Sequence, residues 1–495
     1  METRIQKQQR SDLIGVFQPG FNVLPVNQEH VLTPSVVCYS SDIAAGARSC
    51  LCVVTPSTTS TTLPDFYVCV VTRRRTAVTS HVFSIAHVAS VAVATANNRF
   101  SLPGNACRST MAAETFSKFY QTVCCQNDIK VNPDVLETLE KTKITWNFTL
   151  KLRGNDQLAR GQRLGDDDVL ALSKCLQNND RVTGLDVSYN HIADGGAGHL
   201  AELLQAKDSV LSSLDLAFND VQADGAEALA RSLQGNSSLL SLRLSGNKIG
   251  RTGAMHVARM LQVNNTLQEV ELANCDLETH AVIALSIVLR TNTTLRCVDV
   301  SRPLLFSQQE EWAVHFSQVL AQNCSLLELR LGTTGLTDTG MERLADGLKQ
   351  NRTLRYLDLR CNRVSRDGAL HLAEALVQDS ALEVLDLSFN RIEDEGAASL
   401  GRALVQPGCS LKELSVCSNH IGADGLLALV RALKATRTLT RLFVWGNQLE
   451  EPVCQAFRGL LARGRLSSRD TDVRAYEVDG RVFLAQVSQG PRRRV

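Results

Sequence analysis

The sequence predicts an α/β solenoid, with a parallel inner sheet and outer helices, on three observations. The first is a period. Leu185, Leu214, Leu242, Val270, Val298, Leu329, Leu357, Leu385, Leu414 and Leu442 follow one another at steps of 29, 28, 28, 28, 31, 28, 28, 29 and 28 residues. The second is what each period contains. In residues 382–404, LEVLDLSFNRIEDEGAASLGRAL, Leu382, Leu385 and Leu387 lie on a short β run, Asn390 turns the chain, and Ala397, Leu400 and Leu404 follow at helical spacing. The third is a polar residue at one fixed point of the turn, at Asn190, Asn219, Asn247, Asn362, Asn390, Asn419 and Asn447. Its amide can bond backbone groups of adjacent turns inside an apolar stack, where unpaired groups are costly. Cys275 fills the slot once, and Pro303 and Thr334 depart from it.

A period in the twenties carrying L-x-x-L-x-L-x-x-N/C-x-L is the leucine-rich repeat signature, and the long helical half of each unit selects the helix-bearing version. Residues 149–450 are therefore expected to form one leucine-rich repeat solenoid. Before it, residues 1–110 are rich in Ser, Thr and Val, include STTSTT at 57–62 and RRR at 73–75, and are expected to be a poorly ordered leader. Met111 opens a stretch of different character, so the leader before it is expected to come from an alternative start or an extended gene model. Residues 111–148 hold two amphipathic stretches, expected to form a helical N-terminal cap with Phe116, Phe119 and Tyr120 on its apolar side. A degenerate first repeat follows at Leu150, Leu152 and Asn155.

The aspartates near each helix start, from Asp166–Asp168 through Asp194, Asp224, Asp338, Asp367, Asp394 and Asp424, are read as satisfying free amides and the helix dipole rather than as metal ligands. The long step before Leu329 predicts a bulged loop around Pro303 that exposes Phe306 or Trp312. Residues 451–495 are expected to form a C-terminal cap: a last helix with Val453, Phe457 and Leu460, a hairpin about Asp479-Gly480, and a basic tail PRRRV.

Composition narrows the function classes. Residues 1–110 carry 9 Lys/Arg against 5 Asp/Glu and residues 456–495 carry 9 against 4, which leaves 34 against 42 between them. A mildly acidic array is not expected to wrap nucleic acid, which needs a basic stripe. The 15 cysteines show no framework, so a reducing compartment is expected. The start METRIQKQQR has no apolar signal core. The longest apolar run, residues 82–96, falls short of the ~20 residues of a spanning helix, so no membrane span is expected. The Asn-x-Ser/Thr triplets at Asn147, Asn236, Asn264, Asn292 and Asn351 mostly precede strands and are read as polar turns. No nucleotide loop, dinucleotide fingerprint, zinc-protease or nucleophile-elbow motif is found. Neither Cys50 with Cys52 nor Cys124 with Cys125 has partners at zinc spacing. No enzyme activity, cofactor, metal or catalytic residue is expected.

Because strand side chains alternate, the residue between the two inward leucines of each repeat faces the concave side. That column reads Asp186, Asp215, Arg243, Glu271, Asp299, Arg330, Asp358, Asp386, Ser415 and Phe443, flanked by Glu269, Glu328, Tyr356, Glu413, Arg441, Arg360 and Trp445. The wall is read as acidic, with aromatic and arginine residues toward its C-terminal end. Tyr356, Arg360, Asp386, Arg441, Phe443 and Trp445 are the expected protein-binding residues, since Tyr, Trp and Arg dominate interface hot spots.

The pattern LxxLDLSxNxIxDEGAxxLAxxL, seen at residues 354–376 and 382–404, resembles the ribonuclease-inhibitor class of leucine-rich repeats over residues 150–450. The resemblance implies a horseshoe and a role in binding proteins. TDVRAYEVDGRVFLAQVSQG at residues 471–490, following the WGN turn at 445–447, resembles the tail of a narrower branch of that class. That likeness implies a protein of cytoplasm and nucleus, particularly the nucleolus, in stem and germ cells, linked to differentiation or ribosome biogenesis. Activation of a Ran-like GTPase and a structural role in cilia are the alternatives, since both use such repeats.

Overall fold

The computed structural model describes residues 22–23, 36–43, 47–54, 67–74, 77–84, 116–141, 146–155, 162–177, 179–206, 208–305, 310–378 and 380–487. The chain divides into two compact units, Met1–Met111 and Ala112–Val495. The first holds β1 (Asn22–Val23), β2 (Val36–Ile43), β3 (Ala47–Val54), β4 (Tyr67–Arg74) and β5 (Ala77–Ser84), one antiparallel sheet in chain order. The STTSTT run and most of the expected leader lie outside the described residues, as does the basic tail.

The second unit is the solenoid. Its strands are β6 (Phe148–Lys151), β7 (Val182–Asp186), β8 (Ser213–Asp215), β9 (Ser241–Arg243), β10 (Glu269–Glu271), β11 (Cys297–Asp299), β12 (Glu328–Arg330), β13 (Tyr356–Asp358), β14 (Val384–Asp386), β15 (Glu413–Ser415) and β16 (Arg441–Phe443). All eleven pair in parallel and in chain order, and a helix follows each of them. The register is the sequence alignment itself: Leu185 pairs Leu214, Leu214 pairs Leu242, and so on to Leu414 with Leu442. One apolar core runs from Tyr120 to Leu484, so each repeat completes its neighbours' burial, as stacking requires.

Three polar seams hold successive repeats in step. The first is the turn asparagine. Asn390 donates to Leu359 O (3.0 Å) and Leu387 O (2.8 Å) and accepts from Val364 N–H (3.1 Å). Each carbonyl is shared, since Leu359 O also receives Asn362 and Leu387 O also receives Asn419. The second seam lies at the helix ends and uses most of the Asn-x-Ser/Thr asparagines. Asn236, Asn264, Asn292, Asn323 and Asn351 donate to carbonyls of the preceding repeat, Leu204, Leu233, Leu261, Leu289 and Leu320, at 2.7–3.0 Å. Their oxygens accept the N–H three residues on. These amides are spent inside the fold, which gives the triplets a structural reason.

The third seam corrects the reading of the aspartates. Asp194, Asp338 and Asp394 cap the helix of the next repeat: Asp194 Oδ1 accepts from Gln222 and Gly225 N–H, Asp338 Oδ1 from Ser365 and Gly368, and Asp394 Oδ1 from Gly422 and Gly425, at 2.7–2.9 Å. Glycine is required opposite them, because a Cβ at Gly225 would sit 2.5 Å from Asp194 Oδ1. Asp224, Asp367 and Asp424 stand one residue later relative to that glycine and are exposed. The sequence treats two positions as one.

The ends also differ in part from expectation. The bulged-loop prediction fails at Trp312, which is 2% exposed on helix Glu311–Gln322 and meets Phe316 edge to face. The helix starts early enough to swing the indole into the core, and Phe306 lies outside the described residues. At the C-terminus, helix Glu451–Ala462 carries a hairpin of β17 (Val473–Val478) and β18 (Arg481–Gln486). The chain just before the hairpin closes the sheet edge: Leu442 N–H donates to Asp470 O, while Val444 and Trp445 N–H both donate to the Asp472 carboxylate (2.9 and 3.0 Å). Paired in this way, β16 presents no open ladder to other strands.

Candidate protein-binding surface

The sheet face away from the helices is a two-layer charge lattice. The carboxylates form its floor. Asp186, Glu269, Glu271, Asp299, Asp358, Asp386 and Glu413 are all buried. The Asp floor residues are oriented from below, because a backbone N–H two residues on donates to Asp186, Asp215, Asp299, Asp358 and Asp386.

Guanidiniums lie over the floor. Arg153 reaches Asp186 (2.5 Å), Arg243 reaches Glu269 (2.8 Å) and sits 3.8 Å from Asp215 and from Glu271. Arg360 binds Asp358, and Arg441 binds Glu413. Arg330 is the exception, itself sunk among Glu271 (2.6 Å), Glu328 (3.0 Å) and Asp299 (3.8 Å), with the Tyr356 ring 5.7 Å away. Elsewhere the cation is the more exposed partner: Arg153 48% against 7% for Asp186, and Arg360 35% against 1% for Asp358. A wall that counts as acidic therefore presents arginine.

Not every carboxylate is fully compensated. Burial first, and Asp358 second, push Asp386 above its ordinary value, against the Ser388 hydrogen bonds and Arg360. Burial likewise raises Asp215, Asp299 and Glu328. Cys275 and Cys417, both desolvated, are pushed up to about 12. Such thiols are inert at neutral pH.

The six expected binding residues divide by accessibility. Tyr356, Asp386 and Phe443 are buried, at 4%, 2% and 1%. Arg360, Arg441 and Trp445 are partly exposed on the same face, and a partner can touch these. Sequence reasoning missed a further column. In every repeat from β7 on, the residue just before the turn slot has positive φ, and three of these residues are exposed aromatics: Tyr189, Phe218 and Phe389. The signal was legible as an aromatic directly before the asparagine, in SYN, AFN and SFN.

Among the described residues no group of His, Cys, Asp and Glu could hold a metal ion, and no helix is long and apolar enough to cross a membrane. The family model described as Leucine Rich repeat matches residues 182–201, 207–230, 235–258, 322–345, 350–373, 380–401 and 409–430. Among solved structures, the one titled Leiomodin-1 Actin-Binding Site 2 covers 32% of this chain and 88% of its own at 24% identity, with a TM-score of 0.27. Leucine-rich repeat-containing protein 34 of Homo sapiens is 50% identical over 379 residues, 75% of this chain and 82% of that protein. The Mus musculus protein of that name is 41% identical over 380 residues, 76% of this chain and 91% of its own length. Repeat, register and likeness agree: this chain belongs to the leucine-rich repeat-containing protein 34 family.

Proposed function

We propose that this chain is a non-enzymatic scaffold that binds a protein partner on its sheet face, in the C-terminal repeats around Arg360, Arg441 and Trp445. Kinship to leucine-rich repeat-containing protein 34 supports a place in nucleolus and cytoplasm, with nucleolar proteins as partners and a role in differentiation or ribosome biogenesis. The observation that carries the reading is the inverted lattice: guanidiniums stand over carboxylates already bonded within the fold, and the Trp445 indole is half-buried on the same face. Such preorganised, partly desolvated Arg and Trp groups are what interface anchors are made of.

Proximity labelling in cells that express the protein naturally identifies the partners, and two substitutions test the surface. Trp445→Ala removes the indole. Arg360→Lys keeps the charge over Asp358 but loses the planar fork. Capture of at least one partner is expected to fall roughly tenfold with the melting temperature held. Unchanged capture of every partner by the double variant refutes the surface.

A further inference from the structure

We infer a second docking site, at the N-terminal end of the sheet face, for a protein segment that carries an aromatic side chain next to Asp or Glu. Its base is the pair Tyr189 and Phe218. Both residues hold the left-handed backbone that every repeat from β7 on has at this slot, φ 62° and 55°. The rings are not spent in the core, since they remain 37% and 46% exposed. Instead they lie flat on one another, with centroids 4.6 Å apart and planes at 12°. In the next repeat the equivalent residue is Gly246, where a Cβ would fall 2.5 Å from the Phe218 ring, so the missing side chain leaves room for the shelf. Two aromatic rings held flat on one another at the surface are a preorganised face for a third ring.

Tyr189 and Phe218 border a pocket of about 330 Å³, and its charges choose the occupant. The carboxylates Asp215, Glu271 and Asp299 lie low, at 16%, 11% and 11% side-chain exposure. The guanidiniums of Arg153 and Arg243 stand higher but are bound down to Asp186 and Glu269. Arg302, on the pocket's edge, is exposed and has no ion-pair partner among the described residues. A ring can stack on the shelf as a third layer while an adjoining carboxylate takes the Arg302 fork. A basic segment meets guanidiniums first. A nucleic acid has bases to stack, but one unpaired guanidinium beside sunken carboxylates gives its phosphates no cationic track.

Glycine makes the test clean, because Tyr189→Gly with Phe218→Gly relieves the backbone while removing the rings. The full chain is titrated with a fluorescent Gly-Glu-Glu-Phe-Glu-Glu-Gly peptide, its Phe→Ala and Glu→Lys versions, and an oligouridine. The intact protein is expected to bind the acidic aromatic peptide roughly tenfold tighter than the double variant does, and tighter than it binds the other three probes. Arg302→Ala weakens that binding, Phe389→Gly and Trp445→Ala leave it unchanged, and the double variant melts no lower than the parent. Absence of saturable binding, equal binding by the double variant, or preference for the lysine peptide or the oligouridine overturns the site. A lower melting temperature in the double variant overturns it too, since the rings would then be structural.

Discussion

Residues 236–351 and residues 362–447 solve the same problem with different asparagines. In the C-terminal stretch Asn362, Asn390, Asn419 and Asn447 run unbroken through the turns, each donating to at least two carbonyls. In the central stretch the turn slots after Asn247 hold Cys275, Pro303 and Thr334. Cys275 Sγ still reaches Leu244 O at 3.1 Å, but proline has nothing to offer. There the helix-end asparagines take over, continuous from Asn236 to Asn351. Past Asn351 that seam stops, and the positions three before Leu411 and Leu439 are Gly408 and Thr436. One seam ends where the other resumes. A solenoid tolerates loss of a buried polar ladder when a second ladder runs past the gap.

The largest effects should therefore change places between the stretches. Asn390→Ala strands the Val364 N–H and takes one donor from each of two carbonyls. Asn292→Ala does the equivalent to Leu295 N–H and Leu261 O. Each is expected to cost about 2–3 kcal/mol, the desolvation penalty of an abandoned buried group plus its lost bonds. Cys275→Ala, in the central turn slot, loses one weak sulfur donor and is expected to cost about 1 kcal/mol or less. Urea midpoints at constant slope measure all three. A Cys275→Ala loss as large as that of Asn292→Ala breaks the comparison.

The caps give a smaller contrast of the same kind. Asp394→Ala removes the acceptor for Gly422 and Gly425 N–H in the next helix and is expected to cost about 1–2 kcal/mol. Asp224 stands in the first turn of its own helix, exposed, where an aspartate contributes only through the dipole. Asp224→Ala is expected to cost about 0.5 kcal/mol. Thermal melts separate the two. Equal losses would mean that the aspartates act on their own helices after all.

These contrasts mark where the sequence was legible. The steps of 28 and 29 residues place Leu385 opposite Leu357 and Leu414 from sequence alone, because parallel stacking leaves identical units one register. The turn asparagine was legible for the same reason: its partners lie at fixed offsets in the preceding unit. The direction of the Asp394 side chain was not, since a first-turn carboxylate looks alike in sequence whether it serves its own helix or the next. Nor was the layering of the sheet face. Counting charges finds more acids than bases, but only three dimensions show Asp358 sunk and Arg360 above it. Phe443 was read as open because nothing local says that residues 470–472 return to close β16.

The smallest predicted effect compares the two stretches through one carboxylate each. Asp386 and Asp299 are both raised above the ordinary 3.8, chiefly by burial. A carboxyl raised in the folded state binds its proton more readily there than in the unfolded chain. Stability from this source therefore falls as pH rises from 3.8 through the native value, and the deficit persists at neutral pH. Asn in place of Asp386 keeps an oxygen for the Ser388 N–H and removes the charge, so Asp386→Asn should melt above the parent at neutral pH. The gap should close as pH falls toward the ordinary carboxylate range. Asp299 has Arg330 at 3.8 Å, whereas the cation that acts on Asp386, Arg360, is bound to Asp358. Asp299→Asn gives up a partial ion pair along with its burial penalty and should gain less. Melting curves of the parent and both variants across that range decide it: a neutral-pH gain for Asp299→Asn equal to that for Asp386→Asn would show that burial alone, and not the placement of arginines over the floor, sets the cost of each buried acid.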